Sequence, residues 1–398
     1  MTGDSPRSQR PRIALVVGTL APGGAEKQLL YLAGALRAMD ADVSVFSLTR
    51  GEFFEPALRA LGIDPVWIGR YQNPAARTMV LAAALRSVRP HIIQSTHFYT
   101  NLYVSLVAPM YGALGIGTAR SDVVHEVRAN GRWGRWLLSV PDSLIVNSQA
   151  AKQNAMAYGI ASDTVHVLAN VIDLAAFDEL AGRGGGVACD PTLDLERGEG
   201  AVAGAGMVTV AGVGSFVRAK RFDRFLRAIA RARARGAPVR GVLAGDGAER
   251  TSLEALAGQL GLLPDGVVFV GRRDDIPALL SDAHIFLLTS DHEGFPNVLL
   301  EAMAAGLPAV TTPAGDAAVI VEDDVTGFVV PSDDVEAIAE KLMALAMSDS
   351  LRERLGAAGR RRVELCYAAD GLAGRLAATY RAIAVRHRHR RSLAVLPA

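Results

Sequence analysis

Short apolar runs rich in β-branched residues alternate with longer segments of helical period along most of this chain. The first series of runs lies at residues 13–17, 43–48, 66–68, 92–95, 116–118, 144–146 and 165–168. Helix-period segments at 25–38, 54–61, 75–88, 101–111 and 149–158 separate them. A run that is apolar at successive positions is buried on both faces, and strict alternation supplies the helices that cover those faces. Such a chain is predicted to form parallel sheets. A second series follows at 208–213, 239–244, 267–270, 285–288, 309–312 and 328–330, with helical patterns at 222–235, 250–260, 275–280, 298–305 and 334–346. Between the two series, residues 178–206 contain Gly184-Gly185-Gly186 and Pro191 without sustained periodicity, and read as a linker or insertion. Residues 351–385 are almost wholly helical in pattern. The expected organisation is a doubly wound α/β domain over 1–177, the break over 178–206, and a second such domain over 207–370. Residues 371–398 are expected to return to the first domain.

Composition narrows the function classes. With 398 residues, about two domains are expected. Hydrophobic residues make up 50% and charged residues 21%, which suits a large packed core and excludes a disordered chain. Lys and Arg total 42 against 41 Asp and Glu, a net charge of +1, which argues against a nucleic-acid partner. Cys189 and Cys366 form neither a disulfide framework nor a metal cluster, and suit a reducing cytoplasm. Residues 1–12 are polar and basic, so no targeting segment is expected there. No apolar stretch reaches the ~18 residues of a membrane helix. The run Arg386-His387-Arg388-His389-Arg390-Arg391 departs from the charge balance. It reads either as a solvated end or as a contact with an anionic membrane surface.

In doubly wound folds ligands bind beyond the carboxyl ends of the strands, so a cleft between two facing domains is the expected active site. Four strand-to-helix junctions carry residues suited to that place. After the first strand, Gly23-Gly24-Ala25 lacks the Gly-Lys-[Ser/Thr] of a P-loop, and the three-glycine dinucleotide fingerprint is absent. Two glycines at a helix start fit a tight turn or a backbone contact with an anion. Gly245-Asp246-Gly247 places Arg250 where the fingerprint's third glycine would stand, which argues against a dehydrogenase. Lys220, with Arg218 and Arg221, follows the strand at 208–213 and suits neutralisation of a leaving diphosphate. The fourth junction, Glu293-Gly294-Phe295-Pro296-Asn297-Val298, leads into a helix containing Glu301. Pro296 is expected at the first helical position, with the Asn297 and Val298 amides facing an anion. Spacing alone also fits two solvated acids.

Taken in order, these segments resemble the retaining glycosyltransferases of family 4, which have the two-Rossmann GT-B fold with C-terminal helices crossing back. The resemblance rests on Gly23-Gly24-Ala25-Glu26, Asn147-Ser148, Asn170-Val171-Ile172-Asp173 with Phe177, Lys220 with Asp223, and Gly245-Asp246-Gly247. It continues through the E-x7-E spacing of Glu293 and Glu301, the stretch from Glu301 to Val310, Gly315, and Thr326-Gly327-Phe328-Val329-Val330. It implies a hexosyl or N-acetylhexosaminyl transfer, with retention, from a nucleotide-diphosphate sugar to a glycan, lipid-linked or polysaccharide acceptor. Transferred residue by residue, Glu301 would bind the ribose, Glu293 the donor sugar, and Lys220 with the Asn297 and Val298 amides the diphosphate. Gly245 would line the donor site, and Gly23 and Gly24 would allow the first domain to approach the phosphates.

The resemblance implies no cofactor and no metal; the acid pairs Asp274-Asp275, Asp323-Asp324 and Asp333-Asp334 read as helix starts or turns. Ser215 stands where such enzymes often carry Arg, and Arg218 is the candidate replacement. His97 and Arg120 are the candidates for acceptor or sugar contact. The expected location is cytoplasmic, peripheral at the inner face of the membrane. A sugar-nucleotide epimerase, which shares the two-domain architecture, is the alternative reading.

Overall fold

A computed structural model describes residues 10–120, 123–184 and 206–387. The chain divides into two compact units, Met1–Val171 with Ala369–Ala398, and Ile172–Ala368.

The first unit is built on strands β1 (Arg12–Val17), β2 (Asp42–Ser47), β3 (Val66–Trp67), β4 (Ile92–Ser95), β5 (Leu114–Ala119), β6 (Ser143–Val146) and β7 (Val165–Val167). They form a seven-stranded sheet in the order β3-β2-β1-β4-β5-β6-β7, and the paired strands are parallel. Successive side chains of β1 point to opposite faces. Ile13, Leu15 and Val17 pack with Leu29, Leu32 and Leu36 of the Gly24–Ala38 helix and with Leu376, Tyr380 and Ile383 of the Leu372–Arg386 helix. Ala14 and Val16 pack on the other face with Leu81, Leu85, Tyr103 and Val104. The C-terminal helix is thus part of the first unit's core. Buried Tyr380 donates its hydroxyl hydrogen to Gln94 Oε1 on β4 at 2.6 Å, and burial pushes the Tyr380 phenol upward.

The second unit contains β8 (Val208–Val213), β9 (Val239–Ala244), β10 (Val267–Gly271), β11 (Ile285–Leu288), β12 (Ala309–Thr311) and β13 (Gly327–Val329). Its six-stranded order is β10-β9-β8-β11-β12-β13, again with parallel pairing. The Phe222–Ala234 helix lies close against this sheet because two strand positions lack a Cβ. A Cβ at Gly212 or Gly241 would stand 2.9 Å from the Phe225 ring. Phe216 and Phe222 complete an edge-on aromatic cluster, their rings 5.1 Å apart.

Both sheets are of the doubly wound type that the alternation predicts. Three local expectations change. Residues 178–184, expected in the break, belong to the Leu174–Gly184 helix, which packs against the Ile276–Ser281 helix. Asp178 is anchored there by Arg360 at 2.7 Å, and this bond holds its carboxyl below the ordinary value. Residues 172–177, expected with the first domain, therefore lie in the second unit. The rest of the break, 185–205, lies outside the described residues. The 351–385 helical stretch divides into Asp349–Cys366 and Leu372–Arg386. Finally, 123–139 carries the unanticipated helices Val123–Ala129 and Gly134–Ser139.

The Tyr380–Gln94 bond generates a stability prediction. Tyr380→Phe leaves a buried amide oxygen without its donor, a cost of about 1–3 kcal/mol. Chemical denaturation followed by circular dichroism should show a lower unfolding midpoint, with the folded-state spectrum unchanged.

Candidate active site

In each sheet the strand order reverses beside the first strand: β2 lies on one side of β1 and β4 on the other, as do β9 and β11 around β8. Helices leave such a pair toward opposite faces, which opens a crevice beyond the carboxyl ends of the strands. The loops after β8 and β11 meet in that position in the second unit. The loops after β1 and β4 do so in the first.

In the second unit, Lys220 Nζ lies 2.6 Å from Glu293 Oε1, and Ser290 donates its hydroxyl hydrogen to the same oxygen at 2.7 Å. Both charged side chains are largely buried, with Glu293 only 10% exposed. The loop carrying Lys220 is held by its backbone. Thr289 Oγ1 donates to the carbonyls of Lys220 and Arg221 at 3.1 and 3.0 Å, and Asp291 N–H donates to Ala219 O at 2.9 Å. Arg221 adopts the left-handed conformation (φ 50°), unfavourable for a residue with a Cβ. Its guanidinium compensates by bonding Asp223 and Asp291, both at 2.9 Å. Buried Arg224 completes the brace through Thr289 O at 2.6 Å and Asp291 Oδ1 at 2.8 Å. Burial alone would raise the Asp291 carboxyl, but the bonds from Arg221 and Arg224 outweigh it and hold it below the ordinary range. Asp223 is lowered in the same way, against burial, by Arg221.

The Glu293 loop is clamped from its other side by the segment after β12. Thr312 Oγ1 donates to Ser290 O at 2.6 Å, and Asp316 N–H donates to Gly294 O at 3.3 Å. Gly315 has φ 56°, and a Cβ there would stand 2.4 Å from Glu293 O. The following helix begins at Asn297, with Pro296 as its N-cap rather than its first residue (φ −75°, ψ 93°). Asn297 and Val298 are thus the first two helical residues, and Glu301, partly buried, lies in the same helix. Gly245 has φ 145°; a Cβ there would stand 1.9 Å from Gly214 O, so the loops after β8 and β9 touch through their backbones. Arg218 is exposed on the short turn preceding Lys220 and does not join the Lys220–Glu293 pair.

In the first unit, His97 follows β4 and bridges three elements. Gly18 N–H donates to its Nδ1 at 3.1 Å, and its Nε2 lies 3.0 Å from Glu26 Oε1. A nitrogen that accepts from a backbone N–H carries no proton, so this geometry selects the tautomer with hydrogen on Nε2, donating to Glu26. Gly23 is the N-cap of the Gly24–Ala38 helix, and a Cβ there would stand 2.2 Å from Glu26 Oε2. The Glu26 carboxylate, in the first turn of that helix, thus lies over the Gly23 backbone. Arg120, just after β5, directs Nη1 toward Ala25 O at 3.5 Å; burial lowers its guanidinium to about 10, with Glu26 opposing. Glu52, after β2, accepts from the Thr49 hydroxyl at 2.5 Å, the Thr19 hydroxyl at 3.0 Å and the Leu20 N–H. Burial raises the Glu52 carboxyl, and these bonds together lower it further than burial raises it.

The structure thus brings Lys220 and Glu293 together in one unit, and His97, Gly23 and Arg120 around Glu26 in the other. The braces Arg224, Asp291, Thr289 and Thr312 escape sequence reading. Arg224 carries the spacing of a solvated helix residue, and only the tertiary path of the β11 loop makes it internal. Glu26 was visible only as part of a glycine-rich motif. Among the described residues, no group of three or more His, Cys, Asp and Glu side chains is placed to hold a metal ion, and no helix is long and apolar enough to cross a membrane. Most of the basic run 386–391 lies outside the described residues; Arg386 itself pairs with Asp163.

Residues 206–362 match the family described as Glycosyl transferases group 1, and residues 22–176 match Glycosyltransferase Family 4. The lipopolysaccharide core biosynthesis glycosyltransferase LpsE of Rhizobium meliloti is 35% identical over 153 residues, 38% of this chain and 43% of that protein. The Vi polysaccharide biosynthesis protein VipC/TviE of Salmonella typhi is 37% identical over 145 residues, 34% of this chain and 25% of that protein. The matches to these curated relatives thus span less than half of their lengths. Among solved structures, Anabaena HepE in complex with UDP-glucose superposes with a TM-score of 0.76 at 19% identity, covering 92% of this chain and 98% of that one. That likeness establishes the shared fold.

The lowered Asp291 and Asp223 carboxyls predict a pH dependence. Their folded-state values lie below the ordinary 3.8, so the stability they contribute is present above that value and is lost as pH falls through the folded values. Thermal melts between pH 7 and pH 3 should show the unfolding midpoint dropping as pH approaches and passes below about 4. Asp291→Asn should flatten part of that drop and cost about 1–2 kcal/mol at pH 7, a bonded-ion value discounted for a side chain that is 32% exposed.

Proposed function

We propose that this chain, which belongs to glycosyltransferase family 4, moves a hexosyl or N-acetylhexosaminyl group from a nucleotide-diphosphate sugar to a glycan, lipid-linked or polysaccharide acceptor, with retention at the anomeric carbon. The observation that carries this reading is the Lys220–Glu293 pair at the strand-order reversal of the second sheet, immediately ahead of the helix that bears Glu301. The names of the relatives in lipopolysaccharide and Vi polysaccharide biosynthesis support the acceptor class.

The chemical demand in such a transfer is negative charge gathering on the departing nucleoside diphosphate. A lysine on a braced loop and the first amides of a helix answer it with dipoles fixed beforehand, so little reorganisation is needed at the moment of bond breaking. In this reading Lys220 and the Asn297 and Val298 amides take the diphosphate. A phosphate seated beside Lys220 would share the ammonium with Glu293, whose second oxygen then turns to hydroxyls of the donor sugar. Glu301 accepts from the ribose hydroxyls. Retention follows if the acceptor attacks from the face the diphosphate leaves, with a departing phosphate oxygen taking the acceptor's proton. His97, its ring oriented by Gly18 and Glu26, serves as a polar contact to sugar or acceptor, with Arg120 nearby. The charge stabilisation comes from protein groups, and turnover is expected without an added metal or other cofactor. The proposed location is cytoplasmic and peripheral.

A panel of UDP- and GDP-sugars, assayed for donor binding, hydrolysis and transfer, tests the proposal. Lys220→Ala should lower kcat about 10²–10³-fold, the usual loss of one preorganised stabilising group. Glu301→Ala should weaken donor binding about tenfold or more. Proton NMR of the product should show the donor's anomeric configuration, and chelator should leave the rate unchanged. Unaltered donor binding and turnover in both variants would refute the site, and interconversion of the sugar nucleotide without acceptor would replace the transferase reading with an epimerase.

A further inference from the structure

The loops that follow β2 and β3 in the first unit carry three exposed aromatic rings on a joined backbone. Phe53 is 67% exposed, Trp67 36% and Tyr71 47%. Gly69 joins the two loops: a Cβ there would stand 1.6 Å from Leu48 O, so the backbones touch. Trp67 fastens them again, its indole N–H donating to Leu48 O at 3.3 Å. The Arg50 guanidinium lies over the Trp67 ring, 4.1 Å from its centroid, and Arg70 lies 6.0 Å over Tyr71. Residues 48–54 and 66–73 hold three charged side chains, Arg50, Glu52 and Arg70. Glu52 is turned inward, bonded to Thr19, Thr49 and the Leu20 N–H. The exposed charges of the rim are therefore cationic, and among the described residues neither Arg50 nor Arg70 forms a salt bridge. Glu52 also ties this rim to the loop after β1, whose Gly18 orients His97.

We propose that this rim is a glycan subsite that takes an acidic sugar, a uronate, of a chain reaching the crevice beyond β1 and β4. The proposal rests on the reading of the acceptor as a glycan and adds which glycan it is. A pyranose has an apolar C–H face and a girdle of hydroxyls, and the C–H face packs on an aromatic ring as other apolar surfaces do. Phe53 and Tyr71 offer such faces on side chains with only two torsions to order. A guanidinium stacked on a ring keeps its N–H donors in its own plane, free to bond a carboxylate in pairs. Arg50 and Arg70 thus supply the charge that a neutral sugar would leave unused. The rim also lies at the carboxyl ends of its strands, where sheets of this type take ligands. Single exposed apolar residues are common on any surface; three rings and two unpaired cations on two fused loops share one chemistry. A bilayer matches it less well, because the Trp67 N–H is already bonded to Leu48 O and one face of the indole lies beneath Arg50. A second copy of the chain, docked through a twofold axis, would set the arginines against themselves.

The test needs neither donor nor turnover. The chain has three tryptophans, and Trp133→Phe with Trp136→Phe in the full-length protein confines the emission to Trp67. Oligogalacturonate and a glucuronate-containing heparosan oligosaccharide are titrated as acidic glycans. A malto-oligosaccharide serves as the neutral glycan, and polyglutamate as an acidic polymer without sugar. At least one acidic glycan should bind saturably and change the Trp67 emission, about tenfold or more tighter than either control, with salt weakening it. Arg50→Gln with Arg70→Gln should weaken that binding about tenfold or more. Phe53→Ser with Tyr71→Ser should weaken it about threefold to tenfold. Melting curves and binding of UDP- or GDP-sugar should be the same in both double variants. Acidic-glycan binding that persists while every transfer assay fails would count against the transferase reading and for this subsite. Binding of neither acidic glycan, equal binding of polyglutamate, or indifference to both double variants overturns the proposal. So does binding to phosphatidylglycerol vesicles, without glycan binding, that the same variants abolish, which would assign the rim to a membrane. A concentration-dependent dimer that Phe53→Ser with Tyr71→Ser dissolves, again without glycan binding, would assign it to self-association and likewise overturn it.

Discussion

The reversal of strand order beside β1 and β8 is the constraint from which the rest of this structure follows. Parallel strands cannot be joined by tight turns, so every connection crosses a face of the sheet. Where the order reverses, the crossings part, and two loops are left adjacent without a helix between them. Those loops must bond to each other or expose their backbone polar groups. In the second unit the β11 loop supplies Thr289 and Asp291 to the carbonyls at Lys220, Arg221 and Ala219. In the first, Thr96 N–H donates to Val16 O, and Gly18 N–H to His97. The same topology therefore places Lys220 against Glu293 in one sheet and His97 against Glu26 in the other.

The two arrangements differ in their electrostatics. Lys220–Glu293 is an ion pair whose partners are each able to turn to a ligand of opposite character, an anion for lysine and a hydroxyl for glutamate. Its rigidity comes from behind: Arg224, 4% exposed, holds both Thr289 O and Asp291, and Asp291 in turn holds Arg221 in its left-handed turn. The strain at Arg221, on the order of 1–2 kcal/mol, is offset by charged hydrogen bonds of comparable or greater worth. His97 is organised by a backbone donor on one side and a carboxylate on the other. Its protonation site is thereby specified, and the ring is held in one orientation. The Glu26 carboxylate lies against Gly23, in the place a Cβ would take.

Much of this fold is legible in the amino-acid order. Among the described residues each of the thirteen strands overlaps a run read from the sequence, and the signal is strongest where burial is two-sided, as in β1, β5 and β11, because such burial demands continuous hydrophobicity. The helices of 123–139 are not legible in that way. Gly131 and Gly134 interrupt a short segment before any period is established, and the helices exist through packing on Phe98, Leu144 and Val146. The Leu174–Gly184 helix was obscured by the glycine run that ends it. The site divides along the same line. Lys220, Glu293 and Glu301 stand at strand ends and a helix start, where sequence position alone indicates an outward-facing side chain. Arg224, Thr312 and Gly315 act on that site from other elements, across distances in sequence that no local pattern encodes.

The eight-residue spacing of Glu293 and Glu301 shows what that division means physically. Within one helix such a step would fix the two carboxylates about 80° apart. Pro296 is the N-cap, however, and the helix starts only at Asn297. Glu301 is phased by the helix: four residues beyond Asn297, it lies on the same face, roughly 6 Å along the axis. Glu293 is phased by nothing helical. Its place is set by Ser290, by Lys220, and by the segment after β12, where Gly315 approaches the Glu293 carbonyl too closely for any other residue. The spacing is thus the sum of a clamped loop and one helical turn. A side chain at Gly315, more than twenty positions away in sequence, would press on the Glu293 and Gly294 carbonyls, and so acts on the loop that sets Glu293 rather than on the helix that phases Glu301.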